Sequence, residues 1–294
     1  DAICTLGQSS RPAARCRSAA AGVAPAQAAG CALYTFHAAH MKRKTTHTRR
    51  IKSAASTPQS LRLPQLDALR GVAVIAMIFY HFGYDLNYLH WLQQDLPHDL
   101  RWQTARTLIL GSFLLLVGMG QALAERQQTT LQQRWLRIGR IGGAALLVTF
   151  GSGLMFPDSA IYFGTLHAIT VMSVLLLLLP CRPWIAIVLG TGALILGNLY
   201  INALFNHPAL AWFGMMTYKP NTEDYVPLLP WFGVCLIGYG AMQMLIRHGL
   251  ARPSQRRIPH FLGWAGRHTL SIYLLHQPVL LGILIPLTQW LRAS

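Results

Sequence analysis

The chain has 294 residues, 53% of them hydrophobic and 12% charged, with a formal charge of +16. A soluble domain carries about 25% charged residues, so this composition and the positive mean hydropathy describe a polytopic membrane protein. The basic excess does not indicate a nucleic-acid partner, because Lys and Arg are spread over loops between apolar spans, as the positive-inside rule requires. Cys4, Cys16, Cys31, Cys181 and Cys235 show neither CxxC spacing nor a paired framework, so neither a zinc site nor a disulfide scaffold is indicated.

Residues 1–60 read as a disordered tail. Within it, residues 1–40 are rich in Ala, Arg, Ser and Gly and look foreign to the rest. An Arg-rich, acid-poor transit peptide is one reading. The stronger one is upstream sequence ahead of a start at Met41, which KRKTTHTRR follows. The domain proper is expected over 61–294.

Seven apolar spans follow, at about 67–88, 104–124, 138–156, 161–180, 183–204, 226–246 and 268–291. The expected fold is an all-α polytopic membrane bundle of about seven transmembrane helices. One side collects Lys42, Arg43, Lys44, Arg49, Arg50, Lys52 and Arg62, then Arg126, Arg134, Arg137 and Arg140, then Arg182, and finally Arg247, Arg252, Arg256, Arg257 and Arg267. The other side has only Arg101, Arg106, Lys219 and Arg292. The count places the amino terminus in the cytoplasm. An odd number of spans without internal duplication argues against a two-repeat transporter. The last span has no Lys, so it offers no retinal Schiff base.

The first span, DALRGVAVIAMIFYHFGYD, is interrupted by Arg70, His81 and Asp85. Ionisable groups inside a span are costly and tend to face the protein interior and carry function. Eleven residues at about 100° each bring Arg70 and His81 to one face, about 16 Å apart along the axis. Asp85 stands one turn beyond His81. A carboxylate that takes the proton of one ring nitrogen leaves the other free as a base, so His81 and Asp85 are candidates for general base catalysis. Asp67 suits the positive start of the helix and a pair with Arg70.

Other polar residues sit near span ends: His167 in YFGTLHAITV, Asp224 and Tyr225 in NTEDYVPLLPWFG, and Tyr273, His276 and Gln277 in GRHTLSIYLLHQP. Pro278 is expected to kink the last span beside His276 and Gln277. His98, His207, His248 and His260 read as solvated loop residues. The histidines have no metal-ligand spacing, and no metal is expected. The cluster Arg134, Arg137 and Arg140 satisfies the positive-inside rule and also offers forked donors to the phosphates of an anionic cofactor. No P-loop or Rossmann fingerprint is present.

These blocks carry a resemblance. LDALRGVAVIAMIFYHF, an Arg, ten residues and then a His, resembles the opening signature of membrane-bound acyltransferases. RGVAVIAMIFYHFGYDLNYL, YFGTLHAITV, EDYVPLLPWFGV and GRHTLSIYLLHQPVLLG, in that order, are similar to blocks of the bacterial relatives of heparan-alpha-glucosaminide N-acetyltransferase. The likeness runs from about residue 62 to 291. It implies transfer of an acetyl or other acyl group from cytoplasmic acyl-CoA to an amine or hydroxyl of an envelope sugar on the exterior face, in a bacterial inner membrane. It implies further that Arg70, Arg137 and Arg140, with His167 and Gln277, serve the CoA donor. His81, oriented by Asp85, would act on the acceptor or carry the acyl group, and His276 with Gln277 would stabilise the thioester oxyanion. Asp224 and Tyr225 would meet the acceptor. In the family's lysosomal enzyme the catalytic histidine lies beyond the first helix on the lumenal side, and by that count His90, in NYLHW, is its counterpart. The expected partners are the bilayer, acyl-CoA, the glycan acceptor and a second copy of the chain. A proton-coupled small-molecule transporter using the same polar stripe, and a non-catalytic scaffold, are the alternatives.

Overall fold

The computed structural model describes residues 62–96, 98–222, 224–254 and 257–293. The expected tail, the Met41 start, Leu61, Glu223 and Arg256 lie outside the described residues. Within them the chain is all-helical, with no strand.

Eight α-helices follow one another: α1 Pro64–Tyr88, α2 Leu100–Arg126, α3 Leu131–Met155, α4 Thr165–Leu178, α5 Pro183–Leu199, α6 Leu228–Arg247, α7 His260–Arg267 and α8 Thr269–Ala293. Each start has a local cause. Pro64 and Pro183 open α1 and α5, where a missing amide donor costs nothing. Asp99 accepts the Arg101 amide at 2.8 Å to cap α2. Thr130 and Gln133 exchange side-chain and backbone bonds at 3.3 and 3.2 Å, a capping box that opens α3.

Five helices, α1, α2, α3, α6 and α8, are long and apolar enough to cross a bilayer. The apolar α4 and α5 have 14 and 17 residues. At 1.5 Å per residue they reach about 21 and 26 Å, against a hydrocarbon core of about 30 Å. The span expected at 161–180 is helical only from Thr165, because the chain before it turns through Pro157–Ser159 and then runs irregularly to Gly164. The loop expected over 247–267 holds α7, whose Phe261 and Trp264 are exposed. Pro278 sits inside α8, which continues unbroken through it.

α6 lies between α2 and α5, and its glycines allow the close approach. A Cβ on Gly238 would meet the Leu115 carbonyl of α2, and one on Gly118 of α2 would meet the Cys235 carbonyl of α6. Leu114, Met172, Cys235 and Tyr239 are fully enclosed there. α7 docks on the start of α1 by the same device: a Cβ on Gly266 would meet the Asp67 carbonyl, and one on Gly71 the Leu262 carbonyl. Leu146, Leu147, Phe150 and Leu154 of α3 point outward, as lipid-facing side chains do. The chain is a multi-pass membrane protein.

Candidate active site

α1 organises the site. At about 100° per residue, Arg70, His81 and Asp85 fall on the same face as the buried Leu66, Val74 and Met77. The stripe therefore faces protein. Asp85 is 2% exposed, and the Arg70 side chain 23%.

At the Arg70 end, Asp67 accepts from Arg70 at 3.3 Å and from Arg62 at 3.2 Å. The tips of Arg70 and Arg137 converge over Gly120 of α2. A Cβ built there would stand 2.6 Å from Arg70 Nη2 and 3.6 Å from Arg137 Nη2. The missing side chain thus makes the room in which two guanidinium groups meet. Around it lies a cavity of about 350 Å³ whose lining includes Arg62, Asp67, Arg70, Gln127, Thr129 and Arg137. Three guanidinium groups face one carboxylate, so the cavity is cationic and rich in forked donors. Arg140 does not join it. It lines a separate groove with Gln132, Trp135 and Gly139.

At the other end, the rings of His81 and His276 have centroids 4.9 Å apart, tilted by 60°. His276 Nδ1 lies 2.6 Å from the Tyr273 carbonyl. A carbonyl only accepts, so Nδ1 carries the proton, and in the neutral ring Nε2 then presents a lone pair. That atom is buried and has no hydrogen-bond partner. Asp85 Oδ1 accepts from Gln277 Nε2 at 2.7 Å, while Asp85 Oδ2 and Gln277 Oε1 are buried and without partners. The carboxylate expected to orient His81 is thus held by Gln277 instead. Three unsatisfied acceptors within a turn of the histidine pair form a place that favours a donor-bearing ligand, because buried polar atoms left unpaired are costly.

Asp224 and Arg106 lie near this end, where Arg106 Nη2 donates to the carbonyl of Tyr225, the residue after Asp224, at 3.3 Å. Asp224 Oδ2 accepts the Thr165 amide at 2.6 Å, at the start of α4, and the Tyr273 hydroxyl at 3.4 Å. Tyr225 donates its hydroxyl to the Ala211 carbonyl at 2.6 Å, and burial pushes its phenol up to about 12, so it stays a neutral brace of its loop. His167 has both ring nitrogens engaged. Thr149 donates to the Ile161 carbonyl at 2.8 Å and accepts from His167 Nε2 at 3.1 Å, while Nδ1 accepts the Gly164 amide at 3.3 Å. His90 stands apart, exposed at the end of α1 with φ 61°. His98, His207, His248 and His260 are exposed, as expected. Among the described residues no group of three or more His, Cys, Asp or Glu could hold a metal ion.

The two ends are separated by a packed apolar layer of Ala73, Val74, Met77, Phe113 and Ala265. Two features escaped the sequence reading. Arg106 reads there only as a topological charge, and Gly120 is one of two glycines in VGMGQ.

Residues 62–278 match the family described as heparan-alpha-glucosaminide N-acetyltransferase, catalytic. The chain belongs to this family. The match spans every element that carries the site, from Arg62 through Gln277, and implies a membrane acetyltransferase. No curated protein and no solved structure matches the chain.

Proposed function

We propose that residues 61–294 form one transmembrane domain that takes an acyl group from acyl-CoA in the cytoplasm and passes it to an amine or hydroxyl of an envelope sugar on the exterior face. The chain would cross a bacterial inner membrane seven times, with its amino terminus inside. The supporting observation is the two-ended inward face of α1: a cationic cavity at Arg70 and a histidine pair about 16 Å away along the axis. The remaining observations assign roles to the ends.

Arg70 and Arg137, with Arg62 beside them, hold the CoA phosphates through charge-assisted bonds. The extended arm of CoA then runs along α1 towards the histidines, parting the side chains of Val74, Met77 and Phe113. At the far end His276 Nε2 takes a proton from the acceptor as its nitrogen or oxygen attacks the thioester carbonyl. The bond from carbonyl carbon to CoA sulfur breaks, and the departing thiolate takes up a proton. His81 lies against His276 and shares the proton load. An unprotonated Nε2 suits a proton acceptor rather than an oxyanion donor, so the reading moves His276 to the base position. Asp85 and Gln277 fix the turn of α8 that carries His276, and their free oxygens receive the acceptor's donors.

The transporter reading needs a continuous polar path, and the apolar layer between the ends favours the transferase. The test is thermal stabilisation of the purified protein by a panel of acyl-CoAs, followed by acetyl transfer to glucosamine. Stabilisation by acetyl-CoA that adenosine 3′,5′-bisphosphate, a fragment of its nucleotide end, shares only in part supports the reading. Absence of any acyl-CoA effect, with solute flux that depends on His81, supports the transporter.

A further inference from the structure

Arg106 is a half-buried cation near the start of α2. One turn before it, the Trp102 ring lies 5.2 Å from the ring of Tyr80, which in turn lies 5.7 Å from the ring of His81. Among the described residues the one hydrogen bond of Arg106 runs from Nη2 to the Tyr225 carbonyl at 3.3 Å. Ion pairs among the described residues join Asp67 to Arg62 and Arg70, and Asp95 to His98, and none includes Arg106. Asp224, the nearby carboxylate, is taken by the Thr165 amide and the Tyr273 hydroxyl. The contrast with Arg70, which has Asp67, is informative. A guanidinium has five donors in a fork matched to carboxylate and phosphate, and withdrawing it from water without a counter-ion is costly.

We propose that Arg106 is an anion-binding subsite for the acceptor, so that the molecule acylated at the histidine pair carries a carboxylate or phosphate. The inference rests on the acyltransferase reading and narrows its acceptor class. Asp85 Oδ2, Gln277 Oε1 and His276 Nε2 meet donors, while Arg106 meets an oxyanion on the same molecule. Opposite demands from these two sets of groups orient the acceptor and reject one without an oxyanion, which would leave Arg106 unpaired.

The test uses the purified full chain with glucosamine, glucosamine 6-phosphate and muramic acid, the last an amino sugar bearing a carboxylate. Binding is read by thermal stabilisation and turnover by acetyl transfer. Wild type is expected to prefer at least one charged sugar over glucosamine by about ten-fold or more, and the preferred sugar identifies the oxyanion. R106Q should abolish that preference and R106K should keep part of it, while stabilisation by acetyl-CoA stays unchanged. Equal affinity of wild type for all three sugars overturns the proposal. So does a preference that survives in R106Q, or one lost equally in R106Q and R106K together with the acetyl-CoA effect, which would mark Arg106 as a brace for Tyr225. Loss of acetyl-CoA stabilisation in wild type would sink the transferase reading instead, and the sugar-binding comparison would still report on Arg106.

Discussion

His81 on α1 and His276 on α8 bring their ring centroids within 4.9 Å of each other, and among the described residues the Nε2 of His276 has no partner. The two residues are 195 positions apart in the sequence, so only the docking of the first helix on the last unites them. His276→Gln removes the basic ring nitrogen and keeps a polar side chain. It should lower acetyl transfer by about 100-fold or more and leave stabilisation by acetyl-CoA intact. His81→Ala should lower transfer as well. Single-turnover assays beside melting curves check both.

Arg70 and Arg137 meet over Gly120, and the cavity beside them is where the donor's phosphates are placed. Arg70→Ala should weaken acetyl-CoA binding by about ten-fold or more, the size of a lost hydrogen bond between charged groups. Gly120→Leu should do the same without removing a charge, by filling the space the two side chains share. Arg140→Ala should leave donor binding unchanged, because Arg140 lines another groove. Titrations of the melting temperature with acetyl-CoA compare the three.

Asp85 and Gln277 clamp α1 to α8 at 2.7 Å in a buried setting. Asp85→Ala leaves the Gln277 amide without its acceptor and should cost about 1–3 kcal/mol. In the double variant D85A/Q277L both polar groups are gone, and much of that loss should return. A double-mutant cycle on thermal stability measures the coupling.

Gly266→Leu should separate α7 from α1, since any Cβ there meets the Asp67 carbonyl. Asp67 is the partner of Arg70. The variant should therefore lose both stability, by about 1–3 kcal/mol, and acetyl-CoA binding. Trp264, on the exposed side of the same helix, should tolerate Phe with neither effect.

Tyr225→Phe removes the bond to the Ala211 carbonyl and should cost about 1 kcal/mol. The folded phenol is pushed up to about 12 by burial, above its ordinary value of about 10. Its contribution should be complete below pH 10 and lost as the pH rises towards 12. Melting curves of wild type and Y225F should therefore converge over that window.

The sequence was most legible where periodicity and charge act locally. The polar stripe on α1 follows from helical geometry alone, and the Asp67–Arg70 pair from a spacing of three. Helix positions were legible but their ends less so: α3 opens at Leu131 rather than 138, α5 stops at Leu199 rather than 204, the chain turns between Pro157 and Gly164, and the short α7 hides among loop residues. Partnerships across helices were not legible. Asp85 is one turn from His81 along the chain, yet its partner is Gln277 on α8. His167 and Tyr225 look free in sequence and are held by Thr149, Gly164 and Ala211. Arg106 gave only a topological signal, because nothing in its neighbours along the chain shows that it meets the carbonyl of Tyr225, 119 residues away.

The central claim is that the two ends of the stripe do separate jobs, donor binding at Arg70 and proton transfer at the histidines. One measurement tests it most directly: acetyl-CoA affinity and single-turnover acetyl transfer on the same preparations of wild type, Arg70→Ala and His276→Gln. The account predicts weakened binding with turnover recovered at saturating donor for Arg70→Ala, and unchanged binding with turnover lost for His276→Gln. Unchanged donor binding in Arg70→Ala, or full turnover in His276→Gln, would contradict it.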